Sequence, residues 1–522
     1  MRVAQESARG TVILFVGNFL STGITTVTII VMARLLGPDG YGIYTLAFVI
    51  PTLLSQFIGI GVNVAVTRYV AFSVSKGEIE RAKSITRTAT LFLLGFGLLL
   101  SAANFILAPF LAPPLLHRPE LASTVQLTSL WILGLAMTQS TQSAFIGWSS
   151  MGAAGGFNVL LSVLKLVITI GLILTGFGVY GAIIGHVSSY LLEGIVSAVF
   201  LYSLWMRPWS HGVENFVGDI KGMIGYGFPI FAAQIVVGLA TQYTFVVLAF
   251  VATDAVVGFY QAAGNVTIAI TVLSAAFSSS LFRSFAALDG LKEDISLAFA
   301  YSVKYVSYVL TPLVFLLLAT ATPLVDLAYG SSYASSVVLL QIAVISYLPV
   351  AAGFQVLASF FNGVGKSRLT LYISIIAAIA MAAGSFGLGQ LLGLGAEGVM
   401  LSQVLSNFAM TISGLILSRK YLKTHLPWQP LLGIFAAGLI AFGVAYLLPL
   451  RGVPDFEYLL IDAVIFLAAY LTLVPVLQGM NDDDFIRLSI AAETMGPTKR
   501  MIGVFVNYER RILRLRKRGD AV

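Results

Sequence analysis

Apolar residues in this chain come in runs too long for a water-soluble fold. Fourteen stretches are each predominantly apolar over about twenty residues or more: roughly 11 to 35, 41 to 66, 88 to 112, 124 to 147, 155 to 176, 179 to 205, 222 to 250, 255 to 281, 299 to 322, 335 to 361, 368 to 391, 396 to 418, 431 to 450 and 457 to 478. A helix needs about 20 residues to cross a hydrocarbon core of ~30 Å. Helix breakers stand between the runs, as at Gly37-Pro38-Asp39-Gly40, where the backbone can leave the membrane and reverse. Only 10% of the residues are charged, against about a quarter in soluble domains. The pattern predicts an all-α polytopic membrane protein of about 14 transmembrane helices, with the first apolar run retained as a helix because it is too long for a signal-peptide core.

The basic residues give the orientation. Counting inward from the N-terminus, alternate loops and the two ends hold 25 of the 30 Lys and Arg, whereas the opposite loops hold only Arg34, Arg118 and Arg451. Positive charge stays on the cytoplasmic side, so both termini are expected there, in a multi-pass protein of the cytoplasmic membrane. The same distribution accounts for the net charge of +7 without nucleic acid as a partner. The chain has no Cys and only four His, and neither a metal site nor a cofactor is expected.

An internal repeat runs at about 216 residues. Gly42 returns as Gly258, Phe145 as Phe361 and Gly147 as Gly363, and Gly176-Phe-Gly178-Val-Tyr-Gly181 returns as Gly393-Leu-Gly395-Ala-Glu-Gly398. Six helices separate equivalent points, and an even number leaves both halves in the same orientation. This predicts two parallel six-helix lobes with pseudo-twofold symmetry about the membrane normal and a substrate site between them. The expected organisation is an N-terminal lobe at 1–205, a cytoplasmic linker at 206–221, a C-terminal lobe at 222–419, two further helices within 420–478 and a tail at 479–522. In the tail, Met501, Phe505, Tyr508, Ile512 and Leu515 recur every three or four residues among Arg510, Arg511, Arg514, Arg516, Lys517 and Arg518, a basic amphipathic helix suited to anionic lipid headgroups. Asn481-Asp482-Asp483-Asp484 reads as the capped N-terminus of a short helix rather than as a metal site.

Charges inside membrane helices cost several kcal/mol unless they face a polar interior or one another. Lys165 and Glu193 lie at similar depth on consecutive, antiparallel segments and are expected to pair, either to lock the helices or to exchange the lysine with an anionic substrate. His186, Ser189, Tyr190 and Ser197 share a stripe with Glu193, which makes Glu193 and His186 candidates for coupling. Arg68 and Lys304 lie near segment ends, where snorkelling towards headgroups is the ordinary reading. Amides recur within segments, among them Gln139, Gln142, Gln261 and Asn265, and suit either interhelical bonds or a hydrated cavity. No catalytic constellation stands out.

Several stretches resemble one known family. The run A-R-L-L-G-P-x-x-Y-G-x-Y at 33–44, PIFAAQ and VVGFYQAAGNV between Pro229 and Val266, AYGSSYASSVVLLQIAV from Ala328 and FNGVGKSRL from Phe361 look like the polysaccharide transporters, the oligosaccharide-lipid flippases of the multidrug/oligosaccharidyl-lipid/polysaccharide exporter superfamily. The resemblance implies a two-lobed bundle, acting as a monomeric transport unit rather than an enzyme. Such a bundle moves a polyprenyl-(pyro)phosphate-linked oligosaccharide, or a related polysaccharide precursor, across the cytoplasmic membrane by alternating access. It also implies a cationic cavity for the anionic lipid phosphate, to which Lys165 and Arg68 are the positions to carry over. Where relatives often have an acid in the seventh helix, this chain has Gln242, so no coupling role carries over there. A small-molecule antiporter of the same superfamily and a membrane glycan-processing enzyme remain the alternatives.

Overall fold

A computed structural model describes residues 2–205, 213, 215–291, 295–447, 454–493, 503, 505 and 507–514. Residues 206–212 and 214 of the expected 206–221 linker lie outside them, as do Arg207, Lys292, Arg451, Met501, Leu515, Arg516, Lys517 and Arg518. Helices dominate, because a chain in hydrocarbon must satisfy its backbone within each segment. By compactness the described chain forms two units, Met1–Gln261 with Ser385–Val399, and Ala262–Gly384 with Met400–Val522.

The first unit contains α1 (Arg2–Ala47), α2 (Val49–Ser55), α3 (Val62–Ser75), α4 (Ile79–Leu116), α5 (Ala122–Leu127), α6 (Ser129–Gly147), α7 (Met151–Leu172), α8 (Gly178–Trp205) and α9 (Phe216–Val251), together with α10 (Asp254–Val266) as far as Gln261. In the second lie α11 (Ile268–Leu291), α12 (Ile295–Ala319), α13 (Ala321–Tyr329), α14 (Ser336–Ile345), α15 (Phe354–Gly363), α16 (Ser367–Gly384), most of α17 (Gly395–Leu422), α18 (Trp428–Tyr446), α19 (Asp455–Val476) and α20 (Asp482–Glu493).

Twelve helices among the described residues are long and apolar enough to span a membrane, or thirteen if the bent pair Ser336–Ala352 and Phe354–Gly363 is one span. The count differs from the expected fourteen because helical bonding runs on through the sharpest turns. Val12–Ser55 is continuous over 44 residues, about 66 Å if straight and twice what one crossing needs. It kinks at Gly37, whose φ of 68° and ψ of 175° no other residue adopts cheaply, and turns briefly at Phe48, between α1 and α2. Met151–Ser203 likewise fuses two expected segments. In the other direction, the expected segment at 41–66 is interrupted between α2 and α3, where Gly59, Ile60 and Gly61 all have positive φ.

The sequence repeat has local structural counterparts. Gly176 and Gly178 have φ of 93° and 53°, and their equivalents Gly393 and Gly395 have 69° and 55°; a short π-helical stretch runs through Gly176 at Ile173–Phe177, and another ends at Leu391, just before Gly393. A Cβ on Gly147 would come within 2.9 Å of Val70 Cβ, and one on Gly363 within 2.6 Å of Phe285 Cβ, so the repeated glycine admits a neighbouring helix in each unit. Within the first unit Gly42 and Gly258 face each other, since a Cβ on either would collide with the backbone of the other's helix. Small residues at a crossing let membrane helices approach to backbone contact.

The core of the second unit forms around Phe315, Phe466, Tyr470 and Phe485, and Leu513 of the C-terminal tail joins it. Here one expectation is corrected. Lys304 does not snorkel: it is 5% exposed and ion-paired with Asp484, itself 1% exposed. Glu509 and Leu513 are buried, with Tyr308 Oη donating to Glu509 Oε2 at 2.7 Å. The tail helix therefore docks on protein through one face while Phe505 and Tyr508 stay exposed. The expected helix start at Asn481 is present: Asp484 N donates to Asn481 Oδ1 at 3.0 Å, and Asn481 N donates to Asp484 Oδ2 at 2.8 Å, a reciprocal cap.

Candidate functional site

The site is built on Lys165, within the first unit. The surrounding residues of α7 are mostly apolar, LLSVL before it and LVITI after it, so the helix forms as an ordinary membrane span and carries one ammonium into its interior. Lys165 is 9% exposed and lines a cavity of about 250 Å³ together with Tyr44, Trp131, His186, Gln242 and Gln261. No ion pair among the described residues involves it, and no acidic side chain lines the cavity.

His186 is held by aromatic neighbours. Tyr44 Oη and His186 Nδ1 are hydrogen-bonded at 2.5 Å. The Phe48 ring stacks on the imidazole at 4.5 Å between centroids, Tyr190 stacks at 5.2 Å, and Trp131 meets it edge-on at 6.0 Å. Its Nε2 is buried with no hydrogen-bond partner. Such a group carries a desolvation cost of about 1–3 kcal/mol, and it stands beside an ammonium with no ionic partner. One anion or hydroxyl-bearing ligand could satisfy both.

The expected Lys165–Glu193 ion pair is not formed. Glu193 is fully buried at the interface of α8 with α6, where Thr138 Oγ1 donates to its Oε2 at 2.5 Å. The stripe on α8 continues into that interface: Ser197 Oγ and Thr141 Oγ1 are 2.9 Å apart, and Ser189 returns its hydroxyl to Gly185 O. Of the stripe, only His186 lines the cavity. Periodicity placed these residues on one face but could not say that the face turns from the cavity to a neighbouring helix within three turns.

The other candidates are dispersed. Gln142 Nε2 donates to Asn158 Oδ1 at 2.9 Å and to Ala154 O at 3.1 Å, and Asn158 donates to Asn18 Oδ1 at 2.8 Å, so these amides fasten α6, α7 and α1. Gln139 lines a second chamber with Asn63 and Gln234. Asn265 belongs to the second unit and bonds Tyr329. Arg68 is exposed on α3, with its guanidinium 4.3 Å from the Tyr226 ring centroid, and is not part of the Lys165 cavity. Missing from the sequence reading are Tyr44 and Trp131; aromatic residues are so common in membrane helices that only the fold distinguishes cavity from lipid. Ion pairs tie both ends of α4 to its neighbours: Arg81 binds Asp219 near the start of α9, and beyond the other end Arg118 binds Asp254 at 2.9 Å and caps the carbonyls of Ala249 and Ala252.

A bundle of long apolar helices around a buried, partly cationic cavity defines a polytopic membrane transport protein. The chain belongs to the family described as polysaccharide biosynthesis protein, whose profile matches residues 7–287. It is similar to the succinoglycan biosynthesis transport protein ExoT of Rhizobium meliloti (strain 1021), at 23% identity over 362 residues, 69% of each chain. Its fold matches a lipid II flippase MurJ in an inward closed conformation, with a TM-score of 0.73, 16% identity, and 89% of this chain and 98% of that one covered. It also matches an inward-facing multidrug resistance MATE family transporter of the MOP superfamily, with a TM-score of 0.64, 18% identity, and 77% and 94% covered. The expected polysaccharide family and all-helical fold are thereby borne out.

Proposed function

We propose that this protein moves a polyprenyl-(pyro)phosphate-linked oligosaccharide across the cytoplasmic membrane by alternating access, with both termini cytoplasmic and one chain as the transport unit. The observation that carries this reading is Lys165, a buried cation lining a cavity with no acid among its lining residues. A buried ammonium is tolerated when an opposite charge joins it, and a lipid phosphate supplies that charge. A similar flippase and a similar glycan transport protein support the same substrate class. Lys165 takes the phosphate, His186 Nε2 and Gln261 add hydrogen bonds, and Arg68 attracts the anionic head from outside the cavity. The antiporter alternative requires acids for a cationic drug, and Glu193 is spent on Thr138. The exposed basic residues of the tail, Arg511 and Arg514 among them, add affinity for anionic headgroups beside the docked face.

Deleting the gene should leave glycan-charged carrier lipid on the cytoplasmic leaflet, measured by leaflet-selective labelling and lipid extraction. Unchanged leaflet distribution contradicts the proposal. Reporter fusions at residues 210 and 394 should report opposite sides of the membrane, 210 the cytoplasmic one.

A further inference from the structure

A second chamber of the first unit is chemically unlike the first. It has a volume of about 200 Å³ and its walls include Ser55, Gln56, Asn63, Gln139 and Gln234, with no charged residue. The carboxamides come from four places in the chain: α6, α9, α3 and the residue that ends α2. Among the four, the hydrogen bond formed is a long one, Asn63 Nδ2 to Gln139 Oε1 at 3.4 Å. Beyond it Asn63 Oδ1 accepts from the Val64 backbone N–H at 3.1 Å, and all four carboxamides line the chamber, unlike the amides of Asn18, Asn158 and Gln142, which bond one another across helix interfaces.

The backbone around the chamber departs from a plain helix. Between α2 and α3 the chain passes through positive φ at Gly59, Ile60 and Gly61, with Ile60 at 45°, a conformation that costs a branched residue energy and is retained where a site needs it. Irregular backbone at membrane depth is tolerated where it lines a cavity or is buried in protein. Opposite the break, a side chain on Gly238 would come within 2.6 Å of Gln56 Oε1, so the glycine makes room for that amide. Phe231 supplies an apolar wall.

We propose that this chamber is a station for a neutral pyranose unit of the glycan, distinct from the Lys165 cavity that takes the phosphate; the proposal rests on the flippase reading above. Planar amides offer donor and acceptor together, matching vicinal hydroxyls, while Phe231 suits the C–H face of a sugar ring. The absence of charge from the chamber's lining selects a neutral sugar, since an acidic one would be desolvated there without a counter-charge. The two cavities touch consecutive turns of one helix: Thr52 lines the first, and Ser55 and Gln56 the second. Three or four residues advance about 5 Å along a helix, the separation of a lipid phosphate and the sugar esterified to it.

The test uses full-length protein in nanodiscs and two probes, undecaprenyl diphosphate and the same lipid carrying one neutral hexose. Wild-type protein should bind the hexosyl lipid about tenfold tighter, as one or two net hydrogen bonds give. Gln139→Leu/Gln234→Leu should bring that ratio close to one while leaving affinity for the bare diphosphate unchanged; Gln139→Ser/Gln234→Ser gives the same reading if the leucine pair does not fold. A ratio near one in wild type, or a tenfold ratio surviving in both variants, overturns the sugar station and leaves the flippase reading standing. If wild type binds neither lipid, the flippase reading fails, and the station with it.

Discussion

Lys304 and Lys165 are both buried on apolar helices, 5% and 9% exposed, but their surroundings differ. Lys304 meets Asp484, whose carboxylate also accepts from Tyr305 Oη at 3.2 Å and caps the start of α20. Every charge in that cluster is answered by protein, and the cluster fastens the segment after α19 to α12. Lys165 has no ionic partner among the described residues, and space lies beside it. Protein interiors rarely leave an ammonium unanswered. One lysine is closed in an ion pair, and the other faces the cavity in which we propose the lipid phosphate binds.

Breaking the Lys304 cluster should have the largest effect on stability. Asp484→Asn strands a buried ammonium, a change that costs about 3–5 kcal/mol, and should lower the melting temperature in detergent markedly. Lys304→Met in the same chain should recover most of that loss, because no charge is then left unpaired while the carboxamide oxygen in place of the carboxylate can still accept the bond from the Asn481 backbone. If the double variant melts no higher than Asp484→Asn alone, the ion pair is not what holds the segment.

A smaller effect, sensitive to pH, concerns the tail. Burial pushes the Glu509 carboxyl up to about 8 against the hydrogen bond from Tyr308, which pulls it down. The unfolded or undocked carboxyl titrates near 4.5. Between those values the docked state holds a proton that the undocked state releases, so docking weakens as pH rises through the window and levels off above it. Hydrogen exchange at 507–514 should accelerate between pH 5 and 9 beyond its intrinsic rate, and Glu509→Gln should flatten the change. A slowing over that range would reverse the sign and contradict the account.

The smallest expected differences separate the repeated glycines. Gly147→Ala and Gly363→Ala should both destabilise, by about 1–3 kcal/mol as overpacked crossings do, since each meets a Cβ closer than 3 Å. If one of the pair proves neutral, the two crossings are not equivalent.

The helices were legible because apolar runs and glycine breaks are local, and the repeated crossings because Gly147 and Gly363 recur in register. Lys165 was legible as a charge interrupting an apolar run. That it forms no ion pair among the described residues was not. The sequence offered Glu193, near in the chain and equal in depth, but which way a helix face turns depends on packing, and Thr138 occupies that carboxylate. Lys304 and Asp484 are 180 residues apart, with nothing local in the sequence to join them. The break at Gly59-Ile60-Gly61 lay in plain view as two glycines within an apolar segment, and only the structure shows that amides from four places converge beside it.

The contrast between the lysines is tested most directly by measuring flipping of a fluorescent polyprenyl-diphosphate glycan and the melting temperature together in Lys165→Gln. The account predicts transport reduced at least tenfold with an unchanged or higher melting temperature, and partial activity in Lys165→Arg. Full transport by a well-folded Lys165→Gln protein would contradict it.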